Sequence, residues 1–592
     1  MDENKEDSVK TALQTPSADE WHSASLEAVY RALGQPGRFA IIQIVLYYVS
    51  FASVAFPILN VVFIGYETPH TCAKLSNETD LIYRHGFEND SSASLQYNEC
   101  SINLVTNQSG RIETVHSFSC LNGNDYDGQR HISFVSEWNL VCERKTGLSE
   151  LVQTVLMIGL FFGSLITTNL ADRIGRKVVV LVSQLILISS GIAAAYAPNI
   201  YVLICLRFLI GFSQQGVVLV GWTLVLEGIV PKYRRYVGTA MCNSWNLTIA
   251  LIALCAWLMK DMSWRHFQLV SGLVTLNVVF NIFFLFESPR WLLANGKYHE
   301  ILTVFKRASQ FNGKDVNTIK SIFIDKVTEF EGPHIFNLTG SSEKSKEKST
   351  LTANETNKKD TVFDIFRHKF LRQQSLIVFV LWITCSMTYY GLYLTSSSLS
   401  GNRHLNFFLL GVVDFLGDLI IFLFIDRLGR RVLCFISLCI TGSGLLTSSL
   451  LMAFGSSALS KTLTTVFFIV GKFGIGLCFN IIYIYTPELY PTNIRSGGLG
   501  LCSSMARIGG MAAPYSGFLV EIAMWGPGAL FTGMCILCGS LLFMLPETKG
   551  RSLPATIEEM KQWNKERGVK TKTVSFSEPE VQGLMKTDAE DN

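Results

Sequence analysis

The sequence predicts an all-α membrane protein of twelve transmembrane helices arranged as two six-helix bundles. Three observations carry this. Only 16% of the 592 residues are charged and 49% are hydrophobic, with 40 phenylalanines, whereas soluble proteins carry about 25% charged residues. Apolar runs of about 20 residues, the length a helix needs to cross hydrocarbon, recur along the chain. Three marks also occur twice at nearly one period. Asp172-Arg173-Ile174-Gly175-Arg176-Lys177 returns 254 residues later as Asp426-Arg427-Leu428-Gly429-Arg430-Arg431. Glu227 with Arg234, and Glu488 with Arg495, repeat E-x6-R at an offset of 261. Phe286-Glu287-Ser288-Pro289-Arg290 and Pro546-Glu547-Thr548-Lys549-Gly550 close each half, offset by 260. A constant period across three marks means a duplicated membrane unit, the construction of many carriers.

In chain order, residues 1–38 form a polar cytosolic segment without a cleavable signal peptide, because the first apolar run, from residue 39, is long enough to span and reads as a signal anchor. Residues 39–286 form the first bundle, with spans near 39–64, 148–170, 178–197, 200–226, 236–259 and 264–286. Residues 374–545 form the second, with spans near 374–398, 405–425, 432–454, 461–485, 496–523 and 525–545. Residues 546–592 form a cytosolic tail.

Two polar segments interrupt the series. The loop 67–147 holds glycosylation sequons at Asn77, Asn89 and Asn107 and four cysteines, Cys72, Cys100, Cys120 and Cys142. Sequons act only in the secretory lumen, and an even cysteine set there favours two disulfides, with three pairings open. The other ten cysteines fall in apolar spans and read as small buried hydrophobes. The segment 287–373 is Lys/Glu/Ser-rich, of low complexity around Ser341 to Lys359, and is expected to be cytosolic and partly disordered, leaving its sequons at Asn337 and Asn354 silent. Arg173, Arg176, Lys177, Lys232, Arg234, Arg235, Arg427, Arg430 and Arg431 crowd the loops on that same side, which by the positive-inside rule places both termini in the cytosol.

The D-R-x-G-R-[KR] pairs resemble the major facilitator superfamily. The loop ending Ser136-Glu137-Trp138-Asn139-Leu140-Val141-Cys142, the run Glu287-Ser288-Pro289-Arg290-Trp291-Leu292, Val470-Gly471-Lys472-Phe473-Gly474 and Tyr485-Thr486-Pro487-Glu488-Leu489-Tyr490-Pro491-Thr492 narrow the match. Together they resemble the organic cation, organic anion and carnitine transporter family of solute carriers over about residues 25–565. The resemblance implies a major facilitator fold, a central cavity with mid-membrane substrate binding, and alternating access by rocking of the halves. It also implies a gating role at the cytosolic rim for Asp172, Arg173, Arg176, Glu227, Arg234, Asp426, Arg427, Arg430, Glu488 and Arg495; the alternative is that these charges only anchor loops.

An ionisable group inside the bilayer costs at least ~2.5–3.5 kcal/mol on insertion scales and so needs a reason. Away from span ends the candidates are Arg207, Asp414, Asp418, Lys472 and Arg507. At the position of Arg507 the resemblance implies aspartate in cation carriers and arginine in the anion and carnitine branches. A guanidinium offers a carboxylate two parallel donors, unless Arg507 serves an internal ion pair with Asp414 or Asp418. Asp414 stands where cation and carnitine relatives carry glutamate. Asp418, one turn on and on the same face, is an additional acid. The two could meet a substrate ammonium, share a proton or sodium ion, or neutralise Lys472 and Arg507. Lys472 matches a family lysine, suited to charge balance or substrate contact. Arg207 reads as a structural rim residue. Trp222, Tyr389, Tyr390 and Tyr393 fall where the family places cavity aromatics, which attract quaternary ammonium groups by ~0.5–2 kcal/mol each; singly, each also suits helix packing.

No Walker loop, H-E-x-x-H, zinc-type cysteine pair or catalytic triad context is present, so an enzyme is not expected, and neither is an ATP-driven pump. A net charge of +3 without a basic tail gives no reading for nucleic acid. The sequence therefore points to a plasma-membrane secondary transporter, its partners a small organic ion and the lipid bilayer, with no cofactor beyond a coupling sodium ion or proton. Carnitine-like zwitterions or organic cations suit the mixed charges; an organic anion exchanger using Arg507 and Lys472 is the alternative. A non-transporting membrane receptor or scaffold is the reading from a different class.

Overall fold

The computed structural model describes residues 18–34, 36–78, 93–108, 111–126, 130–142, 147–331, 364–491 and 494–550, together with Met560. Six apolar helices fill the first half: α2 (Arg38–Ile64), α3 (Leu148–Ile174), α4 (Arg176–Ala195), α5 (Ile200–Glu227), α6 (Pro231–Leu258) and α7 (Trp264–Phe284). They follow a helix α1 (Ala18–Ala32) and precede three short helices, α8 (Pro289–Ala294), α9 (Tyr298–Asn312) and α10 (Val316–Glu331). The second half repeats the six as α11 (Lys369–Leu394), α12 (Arg403–Leu428), α13 (Arg430–Phe454), α14 (Ala458–Glu488), α15 (Arg495–Ala512, carried on through a 3-10 turn to Ile522) and α16 (Gly526–Leu542). Ten of these twelve are long and apolar enough to span unaided; α16, at 17 residues, and the interrupted α15 complete the set. Their outward faces carry exposed Phe280, Phe283, Leu419 and Leu537, as lipid requires.

The chain forms two compact units. The first comprises Met1–Ser349 with Tyr390–Asp418 and Gly510–Ala523; the second comprises Thr350–Tyr389, Leu419–Gly509 and Met524–Asn592.

In the first unit, small residues bring backbones together: a Cβ on Gly159 would lie 2.3 Å from the Phe208 carbonyl oxygen, and one on Gly211 would lie 2.0 Å from that of Leu156. These glycines let α3 and α5 close on each other, the small-residue packing typical of membrane helices. Arg207 is corrected from a rim position: it lies two turns into α5 and is fully buried. It donates to the Pro57 carbonyl at 2.7 Å, Asn60 Oδ1 at 3.1 Å and Gln268 Oε1 at 3.3 Å, joining α2, α5 and α7.

The loop after α2 is folded. A three-stranded antiparallel sheet of β2 (Ala93–Tyr97), β3 (Ile102–Gln108) and β4 (Arg111–Phe118) stands beside a two-stranded pair, β1 (Thr71–Cys72) and β5 (Asn124–Asp125). The four cysteines pair as Cys72–Cys120 and Cys100–Cys142. The Glu137-Trp138-Asn139 stretch docks this domain. Glu137 binds Arg265 at 2.6 Å and accepts the Trp264 indole N–H, both on α7. Asn139, at a left-handed φ of 54°, accepts the Tyr126 hydroxyl at 2.7 Å. Burial pushes the Tyr126 phenol up to about 12.

The segment after residue 287 begins with the three helices α8–α10, over residues 289–331. Leu26, Val29, Tyr30 and Leu33, at helical spacing on and just beyond α1, pack with Leu292, Ile301, Phe305, Phe323 and Val327 of α8–α10. Asn312 ties this group to α2, accepting the Phe39 N–H and donating to the Leu33 carbonyl. Asp315 caps α10; hydrogen bonds from the Thr318 hydroxyl and from the Thr318 and Asn317 N–H groups hold its carboxyl below the usual range. The low-complexity stretch with Asn337 and Asn354 lies outside the described residues.

The cysteine reading is corrected in part. Cys385, Cys434, Cys478, Cys502, Cys535 and Cys538 are buried, but Cys205 and Cys439 are exposed on the apolar surface and Cys242 and Cys255 lie between.

Candidate functional site

The repeated motifs build the same network twice. In the first unit Gly175, at φ 106°, ends α3 and starts α4. A Cβ there would fall 2.5 Å from a Glu287 carboxylate oxygen, so both the conformation and the close approach call for glycine. Glu287 accepts the Arg176 and Lys177 backbone N–H groups, placing an anion on the otherwise unsatisfied first turn of α4. Arg176 reaches Asp172 at 3.3 Å and Glu227 at 3.2 Å, and Ser288 donates to Glu227 at 2.5 Å.

The second unit repeats each contact. Gly429 stands at φ 90°, Glu547 accepts the Arg430 and Arg431 N–H groups, Arg430 reaches Asp426 at 3.2 Å and Glu488 at 3.1 Å, and Thr548 donates to Glu488. The arginines and glutamates are mostly enclosed (14–18% exposed), whereas Asp172 and Asp426 stand 72% and 59% exposed. Arg173 and Arg427 are exposed at the same helix ends. Arg234 holds the Leu226 carbonyl at 3.0 Å and Arg495 the Tyr490 carbonyl at 3.4 Å, so both close their own loop. Sequence reasoning used Glu287 and Glu547 as marks of repetition and missed their work as helix caps; the pair Glu287-Ser288 and Glu547-Thr548, a glutamate before a hydroxyl residue in each half, was the available signal.

The intramembrane charges fall in two groups. In the first unit Asp414 and Asp418 are buried on one face of α12. Asp414 accepts the Tyr393 hydroxyl at 2.9 Å, and Asp418 accepts Asn246 Nδ2 of α6 at 2.9 Å. Tyr390, half-buried, is three residues before Tyr393 on α11. Asn246 was missed, since a neutral amide within a span carries no charge to mark it. In the second unit Lys472 is fully buried with its Nζ 3.8 Å from the centre of the Tyr389 ring, which itself packs on Phe479 at 5.4 Å. Arg507, on α15, has a buried Nε that makes no hydrogen bond.

Trp222 lies 6.0 Å from Phe51, which lies 6.5 Å from Trp245, an aromatic row joining α2, α5 and α6. Directly before Trp222, α5 widens into a π-turn over Gly216–Val220, a feature common at functional positions. Its Val218 carbonyl is satisfied by the Tyr47 hydroxyl at 2.6 Å.

A second aromatic cluster, absent from the sequence expectation, lies where α2 meets the start of α12. Phe63 stacks on His404 at 5.3 Å and meets Phe407 edge-on at 4.9 Å, and Arg403 lies 3.7 Å over Tyr66. Tyr393 packs on Phe407 at 5.2 Å while its hydroxyl donates to Asp414, so this cluster is joined to a buried carboxylate.

A duplicated six-helix unit with matched charge networks at its motif loops and separated buried charges defines a multi-pass membrane carrier of the major facilitator type. The model of the sugar (and other) transporter family matches residues 98–560, and the chain belongs to that family, in its solute carrier 22 branch of organic cation and anion transporters. It is 29% identical to solute carrier family 22 member 16 of Homo sapiens, over 96% of this chain and 98% of that protein. It is 31% identical to the organic cation transporter protein of Drosophila melanogaster, over 78% of this chain and 80% of that protein. Among solved structures it resembles the inward-open xylose transporter XylE from E. coli, with a TM-score of 0.55 at 12% identity over 88% of this chain and 99% of that one. It also resembles the proton:xylose symporter XylE bound to 6-bromo-6-deoxy-D-glucose, with a TM-score of 0.53 at 12% identity over 89% and 99%. The chain is thus a secondary transporter of this branch and not an enzyme.

Proposed function

We propose that the protein carries small organic ions across the plasma membrane by alternating access, with carnitine-like zwitterions or organic cations as its substrates. The observation that supports this reading is chemical: the Nε of Arg507 is buried and makes no hydrogen bond, while Asp414 and Asp418 are buried carboxylates that accept from Tyr393 and Asn246. A zwitterion needs a cationic fork for its carboxylate and anions with aromatic faces for its ammonium. Arg507, in the second unit, has the chemistry for the first; in the first unit Asp414, Asp418, Trp222, Tyr390 and Tyr393 have the chemistry for the second, as does Tyr389 in its own unit. Asp414 and Asp418 are also the groups suited to a coupling proton or sodium ion. The organic anion exchanger is favoured by one fact, the fully buried Lys472 in the unit that holds Arg507. Radiolabelled uptake of carnitine, tetraethylammonium and para-aminohippurate, each with and without sodium, separates the readings. Carnitine or tetraethylammonium uptake is expected; uptake of para-aminohippurate alone selects the anion exchanger.

The motif networks act as gates in this reading: they bias the equilibrium between the two facing states. Both termini lie in the cytosol and the sheet domain faces outside, carrying glycans on Asn77, Asn89 and Asn107. Asn77 is exposed and Asn107 lies on β3; Asn89 is outside the described residues. Glycosidase treatment should lower the apparent mass, and replacing all three by Gln should abolish that shift. A shift that persists and depends on Asn337 or Asn354 overturns the orientation.

A further inference from the structure

Three thiols from three helices meet in the interior of the second unit. Cys478 of α14 lies with its Sγ 3.5 Å from Cys385 Sγ of α11 and 3.4 Å from Cys434 Sγ of α13. All three are fully buried. Their approach follows from the backbone. Gly474, one turn before Cys478, is so close to α13 that a Cβ on it would lie 2.7 Å from both the Ser437 carbonyl oxygen and the Thr441 N–H nitrogen. Gly444 and Gly471 make a second such contact, a Cβ on Gly444 falling 2.7 Å from the Gly471 nitrogen. Helices this close leave their side chains no route apart.

The position also carries consequence. Cys385 is one turn on α11 from Tyr389, the ring that Lys472 Nζ approaches at 3.8 Å. Neither the carrier chemistry nor the motif networks use these sulfurs, and a purely apolar core has no need of three touching thiols.

We propose that this triad is a thiol–disulfide switch, in which Cys478 closes a bond with either Cys385 or Cys434 and ties α14 to α11 or α13. The oxidant is a small hydroperoxide able to enter the membrane. The Cys478 sulfur attacks one peroxide oxygen and the O–O bond breaks. The thiol proton passes to the departing oxygen, leaving a sulfenic acid and one water for hydrogen peroxide. The Cys385 or Cys434 sulfur then attacks the sulfenic sulfur, the S–O bond breaks, and its thiol proton leaves with the hydroxyl as a second water. Two thiols lose two electrons and the peroxide gains them. A thiol reductant reverses the step by exchange.

The test uses the full-length protein in lipid nanodiscs, treated with hydrogen peroxide, alkylated with N-ethylmaleimide after denaturation, and mapped without reduction by mass spectrometry. The expected result is new peptide pairs joining Cys478 to Cys385 or to Cys434, absent before oxidation and lost with dithiothreitol. The Cys72–Cys120 and Cys100–Cys142 pairs serve as controls present throughout. Cys385→Ser and Cys434→Ser should each keep the other pair, and Cys478→Ser should form neither. The bridged wild type should also melt at a higher temperature than the same sample after dithiothreitol, since a cross-link restricts the unfolded chain. Unjoined thiols or only over-oxidised Cys478 overturn the switch. A new bridge with an unchanged melting transition overturns the claim that it constrains the bundle.

Discussion

Arg507→Asp abolishes uptake of a carnitine-like substrate while uptake of a simple quaternary ammonium survives or rises. The expectation rests on what the two substrates demand. A carboxylate bound by a guanidinium loses both donors and meets a like charge when aspartate replaces arginine. Charge-assisted hydrogen bonds are each worth ~1.5–3 kcal/mol, so the loss exceeds a hundredfold if both are removed. A quaternary ammonium makes no use of Arg507 and gains an anion. The driving forces differ as well. A cation draws ~2.3 kcal/mol per charge from 100 mV, enough for roughly fiftyfold accumulation, while a net-neutral zwitterion draws nothing and needs co-transport or exchange. Uptake at matched surface expression is the measurement. An anion exchanger would also fail with Arg507→Asp, but quaternary ammonium would not have competed in the unmutated protein. Unchanged carnitine uptake reduces Arg507 to a packing residue and removes the chief support for the zwitterion.

Arg430→Ala should slow transport strongly without loss of surface expression, and Asp426→Ala should slow it less. The order comes from enclosure. Asp426 is 59% exposed, and such a pair is worth ~0–1 kcal/mol. Arg430 and Glu488 are 17% and 18% exposed, and removing the arginine strands a largely enclosed carboxylate, whose cost approaches the ~3–5 kcal/mol of a broken buried pair. Each 1.4 kcal/mol placed differently on two facing states changes their ratio tenfold. Initial rates measured against surface biotinylation read the effect. Wild-type rates in both variants would end the gating account, and equal slowing in both would end the argument from enclosure.

The spans were legible because lipid demands about 20 apolar residues whatever the neighbours are; each predicted run matches a helix to within a few residues, Pro231–Leu258 against 236–259 being among the larger differences. The helices α1 and α8–α10 were not legible. Their apolar positions are sparse among charges, and the surface that Leu26 and Tyr30 need lies some 270 residues away in Ile301 and Phe305. The sheet was hidden by short strands in a loop whose sequons and cysteines drew the reading. Around the buried charges, residue type announced Asp414, Lys472 and Arg507, but their neighbours Asn246, Phe63 and His404 are ordinary residues whose meaning comes only from what they touch. Arg207 shows the converse: a cation in a span that carbonyl and amide oxygens hold without any carboxylate among its hydrogen-bond partners.

The helix α1 has a consequence for how the chain is made. Leu26, Val29 and Tyr30 leave the ribosome first, yet the surface that buries them is completed only when residues up to Val327 have been synthesised, after six helices have entered the bilayer. Until then the apolar stripe waits undocked, and such surfaces invite chaperones or the membrane interface. Closing so long a sequence separation makes docking of α1 a late event in biogenesis. It is also a check on the first bundle: a nascent chain whose six helices fail to assemble presents no seat for its own N-terminus and keeps that stripe on display.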